Sequence, residues 1–138
     1  SLAWNDPKLT EDAPALGPAG SRLPNTARLA ATLGARLAYS IAGHASYAGL
    51  NLRHVGQRNA GFDAAGSSVP NFSQPAYTLL DAQWGVELGR WQLATFVRNL
   101  TDRRAILGAD TALTAFGLPL NVTTVAPRTI GANLTYNF

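Results

Sequence analysis

From Thr129 to the end of the chain, every second residue is apolar. Ile130, Ala132, Leu134, Tyr136 and Phe138 alternate with Thr129, Gly131, Asn133, Thr135 and Asn137. Successive side chains of a β-strand point to opposite faces, so this run makes a strand with one apolar and one wet face. The pattern recurs upstream. In 27–41 the odd positions from Leu29 to Ile41 are all apolar, and their neighbours include Arg28, Thr32, Gly34, Arg36 and Ser40. In 78–88, Leu80, Ala82, Trp84, Val86 and Leu88 oppose Asp81, Gln83, Gly85 and Glu87. Trp91, Leu93 and Val97 continue the alternation, with Phe96 as an exception, and 45–57 follows it less cleanly. A helix would wind the charged residues of these runs onto its apolar stripe. The pattern therefore predicts an all-β, antiparallel fold.

Composition narrows the class. Of the 138 residues, 46% are apolar and 14% charged, against about 25% charged in an ordinary globular domain. No apolar run approaches the roughly 18 residues of a spanning helix. With neither Cys nor Met in the chain, disulfide frameworks and thiolate metal sites are excluded. The net charge of +3 comes from Arg residues scattered along the chain, with only Lys8 as lysine. Nucleic-acid binders gather such charge on one face or helix, so no nucleic-acid partner is expected. The scatter follows strand parity instead: Arg36, Arg53, Asp81, Glu87 and Arg98 all fall on polar alternates.

Strand length and connection length choose between two kinds of amphipathic sheet. Soluble strands average about 5–6 residues, whereas membrane-barrel strands need about 9–11. The alternating segments here are of the longer kind. Their connections are short at 42–44 and 89–90, and long at about 7–26, 58–75 and 103–126. Outer-membrane barrels alternate short periplasmic turns with long extracellular loops in this way. The expectation is an antiparallel transmembrane β-barrel segment of about six up-and-down strands: a strand tail at Leu2–Asp6 and five full strands. Phe138 then lies on the periplasmic side, with Trp91 and Tyr136 near a lipid interface, and Arg36, Arg53, Asp81, Glu87 and Arg98 face a wet lumen. Six strands are fewer than the roughly eight of the smallest single-chain membrane barrels. The chain also starts at Ser1 with no visible signal peptide. It therefore reads as a processed or partial chain. A passive pore or barrel enzyme of the outer membrane, or a soluble β-sandwich binding module, are the alternatives.

Several motifs together resemble one family. Asn99-Leu100-Thr101-Asp102 follows a Trp-led strand, and Pro127-Arg128-Thr129-Ile130-Gly131 leads to a terminal Phe. With the strand at Tyr77–Ala82, the segment from Trp4 to Pro14 and Arg22-Leu23-Pro24-Asn25-Thr26, they resemble the C-terminal β-barrel portion of TonB-dependent outer-membrane receptors. The resemblance covers essentially all of 1–138. It implies that the chain is the last quarter or less of a 22-stranded barrel, with the plug domain and earlier strands elsewhere. It implies location in the bacterial outer membrane and energy-coupled uptake of a scarce nutrient, such as an iron-siderophore complex. The implied partners are outer-membrane lipid, the rest of the barrel and plug, TonB through the N-terminal part, and a small-molecule ligand of unknown identity. Tyr136 and Phe138 resemble the signal read by the barrel assembly machinery. Asn99, Leu100, Thr101, Asp102, Pro127, Arg128 and Gly131 are expected to be structural.

No chemistry-bearing constellation emerges beside these. His44 and His54 lack a third ligand, so no metal site is expected. Asp81 and Glu87 are about 20 Å apart along one strand, too far for a carboxylate pair. No serine sits in a nucleophile elbow, and no Gly-rich phosphate loop or other cofactor motif occurs. Catalytic residues and cofactors are expected to be absent, and the protein is not read as an enzyme. In the last long loop, Arg103, Arg104, Asp110 and Phe116 are expected to cover the barrel mouth rather than hold a ligand.

Overall fold

The computed structural model describes residues 1–14, 16–62, 71–111, 114 and 116–138. In chain order the strands are β1 Leu2–Trp4, β2 Leu29–Ile41, β3 His44–Val55, β4 Arg58–Asn59, β5 Ser73–Gln74, β6 Tyr77–Leu88, β7 Trp91–Arg98, β8 Ile106–Asp110, β9 Asn121–Thr124 and β10 Thr129–Tyr136. One antiparallel sheet of six strands runs in the order β1-β2-β3-β6-β7-β10, an up-and-down meander that is not closed. β4–β5 and β8–β9 form small separate hairpins within the long connections.

Two tight turns mark one end of the sheet. Ile41 pairs with His44 and Leu88 with Trp91, so both turns have two residues. The first is one residue shorter than the 42–44 link read from the sequence, because His44 already belongs to the ladder. Ala42 and Gly43 have φ of 49° and 83°, the sign pattern of a type I′ turn, and Gly89 has φ of 64°. Positive φ at these positions matches the right-handed twist of the flanking strands.

Packing is concentrated at the opposite end. Tyr77, Leu79, Ala105 and Val125 form the buried cluster, with Val55 against it. Ala105 and Val125 flank β8–β9 and are joined by a backbone hydrogen bond of 2.9 Å. The last long connection thus lies over the ends of β3 and β6 and makes the only compact core among the described residues.

Candidate functional site

Register sorts the side chains into two faces. One carries Leu2 and Trp4 (β1), odd positions of β2 from Leu29 to Ile41, even positions of β3 from His44 to His54, and even positions of β6 from Thr78 to Leu88. It continues through Trp91, Leu93, Thr95 and Val97 to Ile130, Ala132, Leu134 and Tyr136. This face has no Asp, Glu, Lys or Arg. The other face carries Arg36, Arg53, Asp81, Glu87 and Arg98, and also Gly34, Gly49, Gly85 and Gly131.

Much of the apolar face is exposed, although Ser46 and Val86 on the central strands are buried. Leu2, Trp4, Leu33, Leu37, Leu50, Ile130 and Leu134 are each 54–75% exposed. Burying seven such side chains is worth on the order of 10 kcal/mol, comparable to the net stability of a whole domain. The covering hairpin contributes nothing here, because Val55, Tyr77 and Leu79 beneath it belong to the opposite, polar face. In a water-soluble sandwich the second layer would sit on the apolar side.

Aromatic residues bracket this face. Trp4 pairs with Leu29 at the long-loop end. At the turn end, Trp91 and Tyr136 have ring centroids 4.8 Å apart, and Phe138 meets Tyr136 edge-on at 5.2 Å. Trp84 Nε1 donates to the Tyr39 hydroxyl at 2.7 Å, reaching across β3 above the small residues Ser46 and Ala48. From Leu29 to Tyr39 is ten residue steps, which at ~3.4 Å rise and ~40° tilt project to about 26 Å. The apolar band of an outer-membrane barrel is about 25 Å tall.

The polar face is built from glycine upward. A Cβ on Gly85 would lie 2.4 Å from Tyr47 Cε1, and one on Gly131 would lie 2.4 Å from Phe96 Cζ. Gln83 likewise lies over Gly49, 2.9 Å from the position of a Cβ there. The large side chains therefore lie flat across neighbouring strands. The Arg36 guanidinium stacks over Tyr47 at 4.1 Å and that of Arg98 over Phe96 at 5.2 Å. Two depressions share Asp81 and Arg98: one of about 410 Å³ with Asn51, Gln83 and Phe96, the other of about 280 Å³ with Arg53 and Asn99.

Hydrogen bonds fix the loop end. Asn99 is buried, with φ of 49°. Its Nδ2 donates to the Ala126 and Arg103 carbonyls at 2.9 and 3.1 Å, its Oδ1 accepts from Arg103 N, and its own N–H donates to Asp81 Oδ1 at 2.8 Å. Leu100 N donates to the Leu80 carbonyl at 2.7 Å, and Asp102 Oδ1 accepts from Arg128 N at 2.8 Å. Asn99, Leu100 and Asp102 thus clamp the exit of β7 to Asp81, to β6 and to the Ala126–Arg128 return, while Thr101 stays exposed in the turn. Pro127 and Arg128 stand just before β10, where a missing N–H costs least.

Two further knots hold the other loops. Arg58 Nε donates to Oε1 of the fully buried Gln74 at 2.7 Å, Gln74 Nε2 donates to Asn25 Oδ1, and the Arg58 guanidinium also donates to the Leu107 carbonyl. Asp6 faces Lys8, Arg28 and Arg22 at 3.0, 3.1 and 3.3 Å. A hydrogen bond from Lys8 is the largest influence and lowers the Asp6 pKa; desolvation opposes it and Arg28 reinforces it.

The structure brings Arg53, Asp81 and Arg98 together around one depression, sets Arg36 on the same face against Tyr47, and leaves Glu87 on that face near the Gly89 turn. Arg103 and Asp110 border surface depressions at the loop end; Arg104 lies 3.9 Å from Asp102, and Phe116 is exposed. Tyr47, Gln83 and Phe96, which line the polar face, and Arg58 and Gln74, which tie the loops, are additions to the residues read from sequence. The signal for the first three was a glycine opposite each. Compared with models of protein families, with curated proteins and with solved structures, the chain has no match.

Proposed function

We propose that the apolar face meets the acyl chains of the bacterial outer membrane and that the sheet is part of the wall of a transport barrel. The observation that carries this reading is the inversion of the sheet: the charge-free face leaves large apolar side chains exposed while the covering hairpin sits on the charged face. The aromatic residues at the two ends of an approximately 26 Å band add to it. The two open edges, β1 and β10, call for further strands, since unpaired backbone is not tolerated against lipid. The motif resemblance supports reading the whole protein as a TonB-dependent receptor, with earlier strands and a plug completing it. It then serves energy-coupled uptake of a scarce nutrient, and no reaction is catalysed. Tyr136 and Phe138, side by side and outward-facing at the end of the last strand, suit recognition by the barrel assembly machinery.

The test is fluorescence quenching in vesicles. Phosphatidylcholine brominated along its acyl chains should quench the emission of Trp84 and Trp91, measured in variants that keep one tryptophan at a time. Emission unaffected by the brominated lipid overturns the membrane reading. A passive pore would give the same quenching. Uptake by cells expressing the whole protein, with and without functional TonB, separates the two.

A further inference from the structure

The arginines differ in how they are partnered. Arg22 and Arg28 share Asp6, Arg104 lies near Asp102, Arg58 is held by Gln74 and a carbonyl, and Arg90 donates to the Tyr136 hydroxyl at 3.4 Å. Among the described residues, no carboxylate pairs with Arg36, Arg53 or Arg98, the three arginines on the strands of the polar face. Two of these are nonetheless positioned: glycine supports a ring, and the ring supports a guanidinium, at Gly85–Tyr47–Arg36 and Gly131–Phe96–Arg98. A guanidinium over a ring face keeps N–H donors for other partners, and such a fork can bind a carboxylate through two parallel hydrogen bonds.

We propose that this face selects solutes bearing a carboxylate with neighbouring hydroxyl groups, gripped by Arg98 and Arg53. The inference names a substrate class for the transport reading above and rests on it. Arg98 borders both depressions and Arg53 the second, and their volumes fall near the low end of the ~300–1,000 Å³ range of small-molecule sites. Asp81 lines both depressions, with one oxygen accepting from Asn99 N. Two positive groups against one negative favour an anion. Asp81, Asn51 and Gln83 offer hydrogen-bond partners to a hydroxyl group beside the carboxylate.

Citrate is the probe, titrated calorimetrically into the whole protein, earlier strands included, reconstituted in phosphatidylcholine vesicles, with tricarballylate, which lacks the hydroxyl, as comparison. Arg98→Gln and Arg53→Gln should each weaken citrate binding at least tenfold. Arg98→Lys, which keeps the charge but loses the fork, should fall in between, and Arg90→Gln should bind as the unaltered chain does. Tricarballylate should bind several-fold more weakly than citrate. Citrate affinity in the Arg98→Gln and Arg53→Gln variants equal to that of the unaltered protein overturns the proposal, as does an equal loss in Arg90→Gln. Equal affinity for the two acids removes the hydroxyl requirement. Acyl-chain quenching of the same samples is read independently. Quenching without arginine-dependent binding sinks the anion site alone, and arginine-dependent binding without quenching sinks the membrane reading alone.

Discussion

Asn99 concentrates more hydrogen bonding than any other side chain of the clamp at the end of β7. Its amide serves two carbonyls and one N–H across a connection that leaves the sheet at β7 and returns at β10. Its backbone is also left-handed, which Asn tolerates better than most residues. Asn99→Gly keeps the backbone and loses only the side-chain bonds; buried partners left unpaired cost about 1–3 kcal/mol. Asn99→Ala adds left-handed strain and should be destabilised by about 1 kcal/mol more. Urea unfolding of both variants in vesicles checks the order, and an Ala variant as stable as the Gly variant contradicts it. Asp6 gives a pH dependence of definite sign. Its carboxyl titrates below its ordinary value in the folded loop, so its contribution is present above the unfolded value and is lost as pH falls through the folded one. Protection of the Leu9 amide, which donates to Ser21 O at 2.8 Å beside this cluster, should therefore drop relative to sheet amides between about pH 5 and pH 3. Asp6→Asn should already show the reduced protection at the higher pH.

At the scale of strands, the glycine–ring pairs set how tightly β3, β6, β7 and β10 can lie together. Gly85→Ala puts a methyl into the Tyr47 ring, and Gly131→Ala puts one into Phe96. Such overpacking costs about 1–3 kcal/mol. The cost should shrink in the double variant Gly85→Ala/Tyr47→Ala, because the clash and its partner disappear together. A double-mutant cycle in urea with purely additive losses would show that the two do not meet. These pairs also explain which parts of the fold were legible. β2 and β10 could be read because period-two alternation survives over each whole strand, and β6 and β7 because it survives over most of theirs. Phe96 broke the pattern because it lies on the polar face above Gly131, where an aromatic ring needs an empty neighbour. Tyr77, Leu79 and Val55 are apolar on that same face because β8–β9 lies over them. The hairpins themselves left little trace: β4–β5 pairs only two residues per strand and depends on Arg58 reaching Gln74 and a carbonyl of β8. Side chains that meet across 16 or more positions of sequence, as Arg58 does, have no local signature.

For the whole molecule, the decisive quantity is what each face costs when a charge is placed on it. A sheet in water would accept a charge on an exposed face almost freely, within about 0.5 kcal/mol. Leu33, Leu37 and Leu134 are 65–71% exposed, so on a purely aqueous reading Leu33→Arg should be benign. If the face meets lipid, the same substitution near the middle of the band costs about 2–4 kcal/mol, and less toward the aromatic ends. Leu33→Arg is therefore expected to destabilise the chain in phosphatidylcholine vesicles by that amount, with Leu134→Arg, two residues from Tyr136, and Leu88→Arg, beside the Gly89 turn, costing less. Gln83→Arg, on the opposite face, should stay within about 0.5 kcal/mol, since a wet face accepts the charge. The contrast between Leu33 and Gln83 does not depend on how many strands complete the sheet. It requires only that one face be dry and the other wet, so equal losses at the two positions would remove the physical basis for a membrane wall.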